Sequence, residues 1–320
     1  MATVNSVLGP LDTADLGFTL MHEHVMVAAA GVYRDYPELL GPDRMERVVQ
    51  RLGAAKQGGI DTIVDATTLD LGRDVELLAE TSRRTGIQII ACTGWWLDVP
   101  RFFAGVSPAQ LAQVFVREIE EGIGGTGIKA GILKSASDVA GVTPEQEIVL
   151  RAVARAHLET GVPIMLHSYS PGQVGRQQLA IAREEGVDPG RIKMDHSNDT
   201  TDVEYLTWLL EQGCYLGLDR YPGRTTSSKA RTRTMKALID AGFADRLCPS
   251  HDGIVLGIVG GGDFEHAEAE RLEYNPHGFL YLNKVVIPEL REMGAPEETL
   301  ESLLVDAPRR FFEGRSPGIG

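Results

Sequence analysis

Short apolar runs, each bounded by glycine, proline or aspartate, recur along the chain, and each is followed by a stretch of helical period. Eight of these runs predict strands: 18–22 (FTLMH), 61–67 (DTIVDAT), 87–93 (IQIIACT), 127–134 (GIKAGILK), 162–167 (VPIMLH), 192–196 (IKMDH), 214–219 (CYLGLD) and 247–252 (LCPSHD). The intervening pattern predicts helices over 43–59, 107–122, 143–161, 202–213, 233–242 and 298–314. Several carry their own boundary signals. The first follows Pro42 and closes on Gly58 and Gly59. The second has Ser107 as N-cap with Pro108 at the first helical position. The third pairs Thr143 and Pro144 with Gln146, three residues after Thr143, as in a capping box.

Strands alternating with helices in this number predict a single α/β domain over 1–320, a (β/α)8 TIM barrel. The competing pattern is a doubly wound open sheet. That fold would place a glycine-rich phosphate loop after the first strand, where MHEHVMVAAAG stands instead.

The residues that interrupt the apolar runs sit at their C-terminal ends. His22 closes the first run and His24 follows two residues on, so both point to one face of the strand, with Glu23 on the other as an anchor against the barrel wall. Lys134 ends the fourth run, His167 the fifth, His196 the sixth and Asp252 the eighth, with His251 beside it. In a barrel these ends converge on one mouth, where active sites are built. Each histidine alone reads as an ordinary core or surface residue. Together the imidazoles and the carboxylate read as a metal constellation, suited to zinc and other first-row divalent ions. Lys134 has two readings. Burial beside cations favours its neutral amine, which can capture carbon dioxide as a carbamate and bridge two metals; unmodified, it would form an ion pair.

Charge and composition remove other classes. A formal net charge of −14 opposes binding to nucleic acid. Cys92, Cys214 and Cys248 are isolated and odd in number, as suits buried thiols in the cytoplasm. The N-terminal segment has no signal-peptide pattern, and no run approaches the ~18 apolar residues of a membrane span.

The motifs HEH, GIKAGILK, VPIMLH, IKMDHSNDTTD, YLGLDRYPG and SHD, in this order, resemble the phosphotriesterase family of the amidohydrolase superfamily. The resemblance extends from GPLDTADLGFTLMHEH to DAPRRFFEG. It implies a homodimeric barrel hydrolase with a binuclear metal centre, usually zinc, with cobalt, iron or manganese tolerated. By motif position, His22, His24 and Asp252 would hold the more buried metal, and His167 and His196 the more exposed one. Carboxylated Lys134 and a hydroxide would bridge the two. The hydroxide would attack the substrate, and Asp252 would pass its proton outward to His251 or Asp219.

The substrate signals are mixed. Trp95 and Trp96 resemble the leaving-group pocket of the triesterases; their plain alternative is rim packing. Arg220 and Tyr221, in LDRYPG, and the short 223–234 segment resemble the lactonases, where Arg220 would bind a substrate carbonyl or order the rim; its plain alternative is an ion pair with a neighbouring acid. The glycine-rich stretch 253–276 is expected to be a lid, carrying Ile254, Val255 and Phe264 into the substrate pocket. The expected substrate is a small neutral ester, either a phosphotriester or a lactone such as an N-acyl-homoserine lactone. Amide or carboxylic ester cleavage on the same metals, and a catalytically inactive binding protein on the same fold, are the readings from other classes.

Overall fold

The computed structural model describes residues 2–257 and 264–314, apart from the side chains of 102, 104 and 264–268. A hairpin of β1 (Thr3–Ser6) and β2 (Gly9–Asp12) precedes the barrel. The barrel strands are β3 (Thr19–Val27), β4 (Thr62–Asp65), β5 (Gln88–Gly94), β6 (Ile132–Ser137), β7 (Ile164–Ser168), β8 (Ile192–Asp195), β9 (Tyr215–Leu218) and β10 (Leu247–Pro249). Neighbours in this order are parallel and laddered. The expected (β/α)8 barrel is therefore present, with the helices outside.

The eighth strand departs from the predicted 247–252. It breaks after Pro249 and resumes as β11 (Gly253–Gly257), which ladders to β3 rather than β9. Between the two pieces Asp252 takes a left-handed φ of 52°. The fourth strand runs over 132–137 instead of 127–134, because Gly127 at φ 75° belongs to the turn that leads in.

The two predicted capping devices are present. Ser107 and Gln110 close a reciprocal box at the helix Pro108–Glu120, and Thr143 and Gln146 do so at Pro144–Thr160. The helices Val75–Thr85 and Gly175–Glu184 complete the ring.

Two-residue alternation stacks inward side chains in layers. Met165, Ile132, Ile90, Tyr215 and Cys248 form an apolar plug closed by Val4 and Leu11 of the hairpin and by Phe311. The mouth-side layer carries Lys134, His167 and Asp195. On β3 the alternation is interrupted. Four residues from Leu20 to Glu23 face three from Ile63 to Asp65, so β3 carries one extra residue. That bulge lets Met21 join the plug while its neighbour His22 also turns inward.

No ladder joins β10 to β3; the amide of Asp252 donates to His22 O at 3.1 Å, and side chains complete the join below the β11 ladder. Buried Glu23 accepts from Ser250 Oγ (2.7 Å), His251 N (3.0 Å), His251 Nδ1 (2.7 Å) and Gly253 N (2.8 Å). Ser250 Oγ lies 3.1 Å from both the amide and the carbonyl of His22. Glu23 thus serves as the anchor the alternation predicts. Glu23→Ala would strand several buried donors, each costing about 1–3 kcal/mol. Urea unfolding is expected to show a loss of about 3 kcal/mol or more, whereas Glu23→Gln, which keeps one acceptor oxygen, should lose less.

Candidate metal centre and active site

The mouth gathers the predicted metal ligands. His22 and His24 project from β3, Lys134 from β6 and His167 from β7. His196 and Asp252 stand just past β8 and β10, both in left-handed backbone conformations that turn the side chain over the barrel axis.

Three of the four imidazoles have one ring nitrogen engaged from behind. His24 Nδ1 meets Thr67 Oγ1 at 2.8 Å, His196 Nδ1 meets Asp219 Oδ1 at 2.8 Å, and His167 Nε2 meets Asp138 Oδ2 at 3.3 Å. His22 Nδ1 lies 3.0 Å from Asp195 Oδ2 and 3.3 Å from Asp219 Oδ2, close in distance but not aligned as a hydrogen bond to either.

The other nitrogens turn to the centre. His24 Nε2 and His22 Nε2 stand 3.3 and 3.5 Å from Asp252 Oδ1, and His22 Nε2 is 3.5 Å from Lys134 Nζ. His196 Nε2 faces His167 Nδ1 at 2.8 Å. Outer oxygens that fix ring tautomers are what metal-binding histidines require.

The donor set fits a pair of cations. Atoms of His22, His24 and Asp252 all lie within 4.8 Å of one another, the spread one ion can gather. With His196 Nδ1 donating to Asp219 and His167 Nε2 donating to Asp138, the two nitrogens facing each other at 2.8 Å both carry lone pairs. A shared cation removes that repulsion.

Electrostatics point the same way. Burial holds the imidazoles of His24 and His167 below their ordinary value, and that of His196 well below it, so these rings favour the neutral form that binds metals. Burial also lowers His22, but the adjacent Asp195 and Asp219 carboxylates together outweigh it and the net shift is upward. Burial raises the Asp252 carboxyl; the His24 contact and the charges of His22, His196 and Arg220 overcome this and hold it well below the usual range.

Around the centre the structure separates the predicted pocket residues. Trp96 lies edge-on to His167 with ring centroids 6.2 Å apart, and Asp70 receives its amide at 3.2 Å from both carboxylate oxygens. Trp95 instead packs against Phe103 at 4.9 Å and donates to Asp98 O, so it takes the rim-packing alternative. A cavity of about 570 Å³ beside Asp252 is lined by Tyr221, Ile254, Val255, Phe279 and Leu280, among others. The side chain of Phe264 lies outside the described residues.

Arg220 donates to Asp252 Oδ2 at 3.1 Å and to Asp199 Oδ2 at 2.5 Å. Asp199 is held in turn by buried Arg231 at 2.7 Å. His251 and Asp219, the expected proton acceptors, are engaged elsewhere. His251 spans Glu23 and the amide of Leu282, and Asp219 sits behind His22 and His196. The neighbour of Asp252 on the outward path is Arg220. Sequence reading did not single out Asp199, Arg231, Asp138, Thr67, Lys193 or Asp195. Asp195 and Asp199 flank His196 within IKMDHSND, and that acidic flanking was the available signal.

Comparison with known proteins now decides the family. The phosphotriesterase family model matches residues 2–312. This chain belongs to the phosphotriesterase family. A phosphotriesterase homology protein of Mycobacterium tuberculosis is 41% identical over 98% of each chain. The solved structure of the phosphotriesterase from that organism matches with a TM-score of 0.91 at 39% identity, over 98% of this chain and 99% of that one. An aryldialkylphosphatase of Saccharolobus solfataricus is 35% identical over 94% of this chain and 96% of its own. A more distant relative, at 25% identity over 97% of both chains, is the N-acetyltaurine hydrolase of Xenopus tropicalis. The phosphotriesterase-family protein described here is accordingly a hydrolase, and its histidine and aspartate groups fit the binuclear metal centre of that family.

The pH dependence of the metal-free protein follows from the three depressed histidines. Their folded values lie below the unfolded 6.5, so the unfolded chain binds more protons as the pH falls. The stability they contribute is complete above pH 6.5 and is lost as the pH drops through the folded values; His22, shifted upward, offsets part of this. Thermal melting of metal-stripped protein is expected to fall from pH 7.5 to 5.5, and a melting temperature that rises over that interval would contradict the assignment of neutral rings.

Proposed function

We propose that the protein hydrolyses small neutral ester-type substrates, phosphotriesters or lactones, with two divalent cations, zinc in the first place and cobalt, iron or manganese as substitutes. The observation that supports this most is two groups of imidazole nitrogens in one mouth: His22 Nε2 and His24 Nε2 against Asp252, with Lys134 beside His22, and His196 Nε2 against His167 Nδ1. His22, His24 and Asp252 would hold one cation, and His167 and His196 the other.

Two cations sharing a water would supply hydroxide near neutral pH and polarise the P=O or C=O oxygen of the substrate. The chain's own residues do the rest. Lys134 is buried, with Nζ donating to Ala66 O at 2.8 Å, and its neutral amine would form a carbamate with carbon dioxide, releasing one proton. The carbamate would join the two cation sites.

Asp252 presents Oδ1 to His22 and His24 and keeps Oδ2 on Arg220. It would take the proton of the attacking water at the face toward the centre. Arg220, about one-third exposed, connects that carboxylate to Asp199 and the solvent side, and could also hydrogen-bond a substrate carbonyl.

The cavity walls of Tyr221, Ile254, Val255, Phe279 and Leu280 suit an apolar substituent, and Trp96 would border the opposite side near His167. Within the expected 253–276 lid, residues 253–257 are laddered to β3, so a closing motion would belong to the helix Phe264–Tyr274. No helix among the described residues is long and apolar enough to cross a membrane. The three free, buried cysteines suit a reducing cytoplasm, and the resemblance supports a homodimer.

Amide cleavage is a second reading, supported by the N-acetyltaurine hydrolase relative, because an amide carbonyl offers the same polarisable oxygen. One panel separates the readings: paraoxon-type triesters, N-acyl-homoserine lactones, δ-lactones and N-acetyltaurine, assayed before and after chelation. Activity on a triester or a lactone, lost on chelation and regained with zinc or cobalt, is expected. Turnover of N-acetyltaurine alone would favour the amide reading, and no chelator-sensitive activity on any member would overturn the proposal. Asp252→Asn is expected to lower kcat roughly a thousandfold with a much smaller change in KM. Equal losses in both terms at unchanged metal content would contradict the proton-transfer role.

A further inference from the structure

Directly beneath the metal ligands lies a buried charged cluster whose lysine the chemistry above leaves without a role. Lys193 and Asp195 on β8 and Asp219 after β9 are all at 0% exposure inside the barrel. Lys193 Nζ contacts Asp195 Oδ1, and Asp195 Oδ2 stands 3.0 Å from His22 Nδ1. Asp219 reaches both metal sites: Oδ2 is 3.3 Å from His22 Nδ1, and Oδ1 accepts from His196 N at 2.9 Å and faces His196 Nδ1 at 2.8 Å.

The chain makes room for this cluster. A Cβ on Gly217, which lies between the two carboxylates, would stand 2.4 Å from Asp195 Oδ1 and 2.4 Å from Asp219 Oδ2. Two carboxylates packed against one imidazole repel each other, and His22 Nδ1 has a single proton to offer. An ammonium on the far oxygen of one of them satisfies the surplus. Unpaired, a carboxylate at this depth would be expelled, protonated or rotated away from the ring.

We infer that Lys193 and Asp195 form a positioning pair that seats His22 for metal binding, with Lys193 acting through Asp195 although it touches no cation itself. The inference rests on the two-metal reading above. It carries an unusual sign. By charge alone, removing an ammonium from beneath two cations should tighten metal binding. If Lys193 acts by holding Asp195 against His22, its removal should weaken binding instead. Outer-sphere partners of this kind alter metal affinity by about 10–100-fold.

The test is cobalt titration of metal-stripped protein, following the visible absorption and the number of ions bound per chain. Four variants are compared with the parent: Lys193→Met, Asp195→Asn, the double substitution and Asp219→Asn. The double variant removes both charges together and so avoids a lone buried ion, which keeps the test valid if either single variant folds poorly. The inference expects about tenfold or greater weakening at one of two sites in Lys193→Met and in the double variant, with an altered absorption band. Asp219→Asn, which touches His22 and His196, should weaken both sites. Parent-like or tighter binding in the double variant, with an unchanged spectrum, would overturn the inference. A parent protein that binds no cobalt would overturn the two-metal reading itself, so the two failures are distinguishable.

Discussion

A buried carboxylate braces the place where the barrel closes. Strands β10 and β3 share no ladder; the eighth strand reaches β3 through β11, and the break between its two pieces is held by Glu23, which gathers Ser250 Oγ, both donors of His251 and the amide of Gly253. Those donors flank Asp252, and Glu23 itself sits between His22 and His24. One side chain on the wall therefore sets the spacing of three groups that face the mouth. Its burial without solvent makes the geometry stiff, because every bond lost there leaves an unpaired polar atom in a low-dielectric interior.

From that seam the site is assembled in tiers. The bulge on β3 turns consecutive residues Met21 and His22 inward, so the apolar plug ends and the polar layer begins within one peptide unit. Above the plug, Lys193, Asp195 and Asp219 form a buried charged tier. The imidazoles rest on it and on Thr67 and Asp138, leaving their inner nitrogens for ligands. Arg220 and Asp199 complete the rim on the Asp252 side, fixed by Arg231 from the helix Ser228–Asp240. Preorganisation of this kind lets fixed charges act on a reacting centre without reorganising first.

Much of this was legible in the sequence because barrel periodicity places strand ends at one mouth. His22, His24, His167, His196, Lys134 and Asp252 could be grouped from position alone, and Glu23 assigned to the wall from alternation. The N-terminal hairpin was not anticipated, since TVNSVLGPLD is too short and too weakly alternating to read as strands. The break of the eighth strand escaped notice because a switch of ladder partner leaves no mark on hydrophobic pattern. Trp95 and Trp96 could not be told apart, as adjacent residues on a loop point wherever the turn sends them; Gly94 at φ 127° sets that turn. The partners of Arg220 and His196 are contacts between segments about 20–30 residues apart, which periodicity does not encode.

A crystal structure of the protein grown with zinc, with anomalous data collected on both sides of the zinc edge, tests the central claim most directly. The account predicts two zinc peaks in the mouth, one among His22, His24 and Asp252 and one between His167 and His196, with added density on Lys134 reaching both. A single peak outside this cluster, or an unmodified Lys134 ion-paired in a metal-free mouth, would contradict it.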